Sequence, residues 1–325
     1  MNTVLHDLPG NPLPDNNISG YFESFDGAKL RYAIFKSDVT PAKGTVVLVH
    51  GRTECIEKYF ETIRDLNNAG LWVATYDLRG QGLSDRALKD RLRGHVRKFS
   101  DYERDLELFL EKVVLPDTRL PLYMIGHSTG GLIALSAAPK LSGRISRLVL
   151  SAPFVGLHGE AMSAKKIFAI ARLLSWIGLG GKAAPSSGKP PNFATNVLTS
   201  DKIRFERNTA IGMDIPELAL GPPTARWLHE CGKAIQRVND PAHLTQITIP
   251  TLLLAPMLDG VVPFQAQEHL ARHFRAGQLI SIPGSRHEVL QEDDRYRKQA
   301  LEAIYAFIPG SDAQQIGGEG ELSDI

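Results

Sequence analysis

Short, continuous apolar runs recur along the chain at Thr45 to His50, Trp72 to Asp77, Leu122 to Gly126, Arg147 to Ser151, Thr251 to Ala255 and Gln278 to Ile282. Runs of this length without polar alternation suit strands buried on both faces of a parallel sheet. Between most of them the apolar positions change to helical spacing, over Lys58 to Ala69, Ser100 to Val114, Gly130 to Ala138, Ala266 to Phe274 and Asp294 to Phe307. A capping box from Ser100 to Glu103 is expected to open the second of these. Strands alternating with helices predict an α/β fold with a mostly parallel central sheet flanked by helices. Ahead of them, Tyr21 to Phe25 and Leu30 to Phe35 flank Asp26-Gly27, so the body should begin with a β-hairpin.

One stretch breaks the alternation. Residues 154–240 show no convincing strand; they carry helical runs around a Gly/Pro-rich passage, GLGGKAAPSSGKPP. This predicts a helical insertion between two sheet strands. Its first helix, over Lys166 to Ile177, is apolar on more than one face, so it must be buried or must meet something greasy. The expected organisation is an N-terminal arm over 1–17, a core over 18–153 and 241–309, the insertion over 154–240, and a disordered tail over 310–325.

A chain of 325 residues allows two domains, or one large domain with an insertion. Lys and Arg total 37 against 36 Asp and Glu, too even a balance for a protein whose main partner is nucleic acid. The two cysteines, Cys55 and Cys231, are too few for a disulfide framework and lack zinc spacing, so free thiols are expected. No secretory signal and no membrane-length apolar stretch is visible, which predicts a cytoplasmic protein able to touch the inner membrane face. The pattern does not bear on oligomeric state.

The strongest chemical signal is Gly126-His127-Ser128-Thr129-Gly130, between the apolar strand LYMI and the helix GLIALSAA. This is G-x-S-x-G in the strand-turn-helix setting that projects a nucleophilic serine. A serine hydroxyl needs a general base, and the base needs a group to orient it. Downstream, Asp259 follows one strand and His287 follows the next, both where parallel strands deliver ligand-binding loops. The order Ser128, Asp259, His287 suits this architecture. Glu288, Glu292, Asp293 and Asp294 compete with Asp259 for the orienting role. Oxyanion donors are expected from the backbone N–H of Thr129 and of Arg52, in the loop His50-Gly51-Arg52-Thr53.

No metal or cofactor is expected. His50 and His127 lack a partner at ligand spacing, and His287-Glu288 lacks the second histidine of H-E-x-x-H. No G-x-G-x-x-G follows the first parallel strand, and His95 is assigned to a surface turn.

Together these residues resemble the α/β-hydrolase superfamily, and within it the serine hydrolases that include monoacylglycerol lipases and bacterial lysophospholipases. The likeness covers most of the chain: the Asp26-Gly27 hairpin, His50-Gly51, Asp77-Leu78-Arg79-Gly80-Gln81-Gly82-Leu83-Ser84, the turn from Gly126 to Gly131, Asp259 before Val261-Val262-Pro263, and Gly284-Ser285-Arg286-His287-Glu288. By this resemblance Asp77 and Arg79 are structural, and the insertion is a cap over the active site.

Gly51-Arg52-Thr53-Glu54 with Glu57-Lys58-Tyr59, Thr199-Ser200-Asp201 with Arg204-Phe205 and Asn208, and Gly221-Pro222-Pro223-Thr224 with Trp227-Leu228 are similar to L2-type lysophospholipases. Monoacylglycerol lipases usually carry H-G-x-G-x-H where this chain has His50 to Cys55, and Met where it has Thr129.

The expected function is hydrolysis of the ester of a monoacyl lipid, a lysophospholipid or monoacylglycerol, through an acyl-enzyme on Ser128. Phe168, Leu174, Ile177, Trp227 and Val261 are the expected acyl pocket. Lys165, Lys166 and Arg172 would let the cap meet anionic head groups. A small-ester carboxylesterase and a non-catalytic binding protein on the same fold remain open; the intact Ser, Asp and His set argues against the second.

Overall fold

Side-chain alternation along the central strands decides what covers each face of the sheet. The structure, a computed structural model, describes residues 4–159, 162–185 and 191–309. Among them eight strands, β1 (Asn17–Glu23), β2 (Lys29–Phe35), β3 (Thr45–Val49), β4 (Trp72–Tyr76), β5 (Leu122–His127), β6 (Arg147–Ser151), β7 (Thr251–Pro256) and β8 (Gly277–Ile282), form one sheet in the order β1-β2-β4-β3-β5-β6-β7-β8. The β1–β2 and β2–β4 pairs are antiparallel and the rest parallel, as the hairpin and the apolar runs require. Along β3, Val47 and Val49 point into one apolar cluster while Val46 and Leu48 point into the other.

The helices are α1 (Phe60–Asn68), α2 (Phe99–Phe109), the single turn α3 (Leu115–Asp117), α4 (Thr129–Leu141), α5 (Ala164–Trp176), α6 (Lys202–Asp214), α7 (Ala225–Val238), the short α8 (Pro241–Leu244), α9 (Phe264–His273) and α10 (Asp294–Phe307). Phe60, Ile63 and Leu66 of α1 join Leu301 and Ile304 of α10 on one face of the sheet. Leu106 of α2, Leu132 of α4, Val238 of α7 and Leu270 of α9 cover the other.

The predicted capping box is displaced. α2 starts at Phe99, and Asp101 Oδ2 accepts the Lys98 N–H at 3.1 Å. Glu103 instead accepts from Ser136 Oγ, 2.9 Å away on α4. A π turn over Leu110–Val114 carries the chain on to α3.

The start of the chain is pinned to the body. Leu5 and Leu8 are buried, and Asn11 Nδ2 donates to the Glu57 carbonyl at 3.0 Å. Arg31, fully buried, pairs with Glu57 at 2.6 Å and Asp77 at 2.7 Å and donates to the Val4 carbonyl at 2.9 Å. Burial opposes its charge, but Asp77 and Glu57 raise its pKa. The expected tail, 310–325, lies outside the described residues.

The insertion divides in its packing. Trp227, Cys231, Ala234, Ile235 and Val238 of α7 are buried in the same cluster as β5 and α4, so the last helix of the stretch belongs to the core. α5 lies on α7 through Ala171 and Ser175, both buried, and through Phe168, which sits against Gly232. Ile167 and Leu174 are half-buried, and Ile170, Leu173 and Trp176 of α5, with Ile177 just past its end, are exposed. α6 is held by charge and by a small apolar cluster: Arg204 pairs with Glu61 at 2.6 Å and Asp294 at 2.7 Å, Arg207 with Glu61 at 2.9 Å, and Ile211 packs with Leu8, Cys55 and Leu218. Cys55 and Cys231 are buried and unpaired.

Arg31→Met would leave Glu57 and Asp77 buried without their cation, a loss of about 3–5 kcal/mol. Urea unfolding should show the midpoint falling accordingly; an unchanged midpoint would refute this role.

Candidate active site

The site begins with a turn that excludes side chains. A Cβ on Gly126 would lie 2.8 Å from the Gly130 carbonyl oxygen, and one on Gly131 would lie 3.0 Å from Pro153 Cα. One on Gly130 would run into the Val49 and His50 carbonyls at the end of β3. The turn from β5 to α4 is therefore pressed onto β3, and Ser128 takes φ 49° and ψ −114°, a strained conformation for a residue with a side chain. Hydrogen bonds lock it: Ser128 N donates to the Ser151 carbonyl at 3.0 Å, and its own carbonyl accepts from Leu132 N at 3.0 Å and Phe154 N at 2.9 Å.

Ser128 Oγ lies 2.9 Å from His287 Nε2, and His287 Nδ1 lies 2.8 Å from Asp259 Oδ2. A carboxylate accepts, so Nδ1 carries the proton and the Nε2 lone pair faces the serine hydroxyl. Asp259 is oriented by the N–H groups of Val261 and Val262, which donate to Oδ1 at 2.8 and 2.9 Å. The structure thus brings Ser128, His287 and Asp259 together from the ends of β5, β8 and β7.

The competing acids have other partners. Glu288 pairs with Lys58 at 2.7 Å, and Glu292 accepts from Ser200 Oγ at 2.6 Å. Asp293 caps α10 and Asp294 pairs with Arg204.

The loop after β3 lies against the serine: a Cβ on Gly51 would be 3.1 Å from Ser128 Cβ. The amides on either side of Arg52 are occupied, Gly51 N by Glu54 Oε2 and Thr53 N by Gln81 Oε1 at 2.7 Å. Thr129 is the first residue of α4, whose N–H has no acceptor within the helix.

A buried network that the sequence reading missed ties this loop to the histidine loop. Lys58 Nζ lies 2.7 Å from both Glu54 Oε1 and Glu288 Oε1, and Tyr59 Oη donates to Glu54 Oε2 at 2.8 Å. Burial would raise the Glu54 pKa, but Lys58, His127 and His50 hold it below the carboxylate range. His127, with Nδ1 3.2 Å from the Ser151 carbonyl, has its pKa lowered to about 4, first by burial; Glu54 opposes the shift, while His287 and Lys58 reinforce it. His50 uses both ring nitrogens, Nδ1 with the Gly51 carbonyl at 2.7 Å and Nε2 as acceptor from Leu78 N at 3.2 Å.

Above Ser128 opens a cavity of about 640 Å³. Of the expected acyl residues, Trp227 and Val261 line it. Phe168, Leu174 and Ile177 do not, because α5 lies on the outer side of α7: Phe168 packs on Gly232 and Ile177 is exposed. Phe205 and Ile211 of α6, with Leu218 and Phe154, supply the apolar wall instead. α6 is polar on average and only Phe205 and Ile211 are buried, so no apolar stripe marked it in the sequence. Asp77 and Arg79 lie outside the cavity in buried ion pairs, Arg79 with Asp26 and Asp105. His95 is not on a free surface turn; its Nδ1 lies 3.0 Å from Thr224 Oγ1 at the start of α7.

The chain matches the family described as Hydrolase_4, serine aminopeptidase S33, over residues 40–294. It is 32% identical over 307 residues to the lysophospholipase L2 of Escherichia coli, covering 88% of this chain and 86% of that one. It is 27% identical to the monoacylglycerol lipase of Mycolicibacterium smegmatis, covering 88% and 95%. The crystal structure of a soluble variant of monoglyceride lipase from Saccharomyces cerevisiae, in complex with a substrate analogue, has the same fold, with a TM-score of 0.74, 24% identity, and coverage of 91% and 96%.

The neutral His127 ring contributes stability that is complete above its ordinary 6.5 and is lost as pH falls from 6.5 towards about 4, because the unfolded chain takes up the proton first. Between pH 7 and pH 5 the melting temperature of His127→Gln should fall by a few degrees less than that of the wild type. Parallel curves would show that the ring is not the titrating group.

Proposed function

We propose, for a chain that belongs to the Hydrolase_4 serine hydrolase family, that Ser128 is acylated by the ester of a monoacyl lipid and that water then releases the fatty acid. The chain is a carboxylic ester hydrolase of the lysophospholipase and monoacylglycerol lipase group. The observation that carries the proposal is the hydrogen-bond relay from Asp259 through His287 to Ser128, opening on a largely apolar cavity.

In the proposed first step the Ser128 Oγ–H proton passes to His287 Nε2 as Oγ bonds to the ester carbonyl carbon. Asp259 holds the imidazolium that forms. The Arg52 and Thr129 amides receive the oxyanion, where preorganised donors commonly contribute about 3–4 kcal/mol each. Collapse breaks the bond to the glycerol oxygen, which leaves with the Nε2 proton. Water, deprotonated by the same nitrogen, then attacks the acyl carbon; collapse breaks the bond to Ser128 Oγ, which takes the proton back from Nε2, and the fatty acid is released.

The apolar wall of Phe205, Ile211, Leu218 and Phe154 favours a long acyl chain over a small ester, since each buried CH₂ contributes about 0.8 kcal/mol. α6, with the segment leading into α7, is the proposed cap.

A peripheral membrane contact is also proposed, from the cytoplasmic side. Ile170, Leu173, Trp176 and Ile177 form an exposed apolar face on α5, which also carries Lys165, Lys166 and Arg172. Trp176 is 84% exposed, a costly arrangement unless a lipid surface receives it. Among the described residues no helix is long and apolar enough to cross a membrane.

Wild type and Ser128→Ala should be compared on a long-chain lysophospholipid, a monoacylglycerol and a short p-nitrophenyl ester. Turnover should fall by roughly a thousandfold or more in the variant, and the long-chain substrates should rank above the short ester. Equal turnover in both proteins would sink the Ser128 mechanism, and a strong preference for the short ester would sink the lipid reading. On vesicles containing phosphatidylglycerol, Leu173→Ser combined with Trp176→Ser should weaken binding by roughly tenfold or more while sparing short-ester hydrolysis. Unchanged binding would remove α5 as the contact.

A further inference from the structure

Arg52 is a cation without a counter-ion. The buried arginines Arg31, Arg79 and Arg297 each hold a carboxylate, and so does half-buried Arg204. Arg52 has none among the described residues. Its Nη1 donates to Thr53 Oγ1 at 3.0 Å and its Nη2 to the Gly221 carbonyl, while Nε is buried with no partner. The guanidinium lies over the Trp227 ring, 5.4 Å from its centroid, and burial lowers its pKa to about 10. The ionisable groups that act on it are Tyr102 and Cys231, both kept neutral by burial. Arg86 likewise meets only carbonyls, but it lies outside the cavity.

Arg52 lines the cavity above Ser128. Of the charged side chains there, Glu54 and Glu288 pair with Lys58, which leaves Arg52 as the cation with no carboxylate partner among the described residues. A half-buried guanidinium with no carboxylate gains charge-assisted hydrogen bonds when an anion meets it. Its place along the chain is also informative. The Arg52 amide is the proposed oxyanion donor, and the guanidinium carbon lies the same number of bonds from that nitrogen as phosphorus lies from the ester carbonyl carbon of a 1-acyl lysophospholipid.

We propose that the Arg52 side chain is the phosphate contact of this site and the residue that makes it prefer a phosphate-bearing monoacyl lipid to a neutral monoacylglycerol. This rests on the ester-hydrolase reading above. Trp227 presents the planar fork and the Gly221 carbonyl fixes one arm, so the remaining Nη N–H groups can meet the phosphodiester oxygens, while Nε is buried against Gly94. No bond to the head group is made or broken; the side chain binds and the amide of the same residue receives the oxyanion.

The test compares wild type, Arg52→Gln and Arg52→Lys on 1-acyl lysophosphatidylcholine and 1-monoacylglycerol of the same chain length, with Ser128→Ala as control. Wild type should prefer the lysophospholipid. Arg52→Gln should lower kcat/KM on it by at least roughly tenfold more than on monoacylglycerol, chiefly through KM, with Arg52→Lys intermediate. Glycerophosphocholine, the other product, should compete in the wild type and not in Arg52→Gln. An equal loss on both lipids, a wild type that cleaves only monoacylglycerol, or no competition in the wild type would each overturn the role of Arg52 and leave the hydrolase reading intact. Hydrolysis of neither lipid by the wild type would instead overturn the lipid reading itself.

Discussion

Around Ser128, two positions, Gly126 and Gly130, have no room for a Cβ and a third, Gly131, is tight, and the rest of the site depends on that exclusion. With Gly126, Gly130 and Gly131 in place, the turn from β5 to α4 can lie on the end of β3 and against Pro153 after β6. The same contact brings the loop at Arg52 beside the serine and leaves the Thr129 amide at the head of α4. A strained serine persists because three hydrogen bonds tie it to α4 and to the end of β6. Any side chain at Gly130 would push β3 and β5 apart and so move the loop that carries the second proposed oxyanion donor.

Much of this was legible in the sequence because the signals were local. Parallel strands buried on both faces read as unbroken apolar runs, so β3 to β8 were found nearly to the residue. The elbow declares itself by glycines at fixed offsets, and Asp259 and His287 follow strand ends where such loops belong. What could not be read was pairing at a distance. Lys58 and Glu288 are 230 residues apart, and no periodicity links them. α5, apolar on several faces, gave no direction, and it turned its small residues, Ala171 and Ser175, inward. α6 was hidden for the opposite reason: the residues it gives to the cavity are few and lie among charges.

Those charges show that the stretch between β6 and β7 is held in two different ways. α7 is fastened by apolar burial continuous with the sheet, and α5 rides on it by a narrow seam. α6 is fastened by arginines to Glu61 and Asp294, with Asn208 donating to Gln291 at 3.1 Å. Burial would raise the Glu61 pKa, but Arg204, Arg297 and Arg207 lower it to about 2, so this attachment persists well into acid. The helix that walls the cavity is thus attached by partly buried ion pairs beside a small apolar cluster, and its neighbour α7 chiefly by apolar burial.

Next to Gly51, which lies against Ser128, the side chain of Arg52 ends on Trp227 and Gly221. Every amino acid except proline supplies the same amide, so exchange of this side chain leaves the main-chain donor in place. On the proposed roles, a descendant of this protein that changes one codon meets a new head group without first giving up its chemistry.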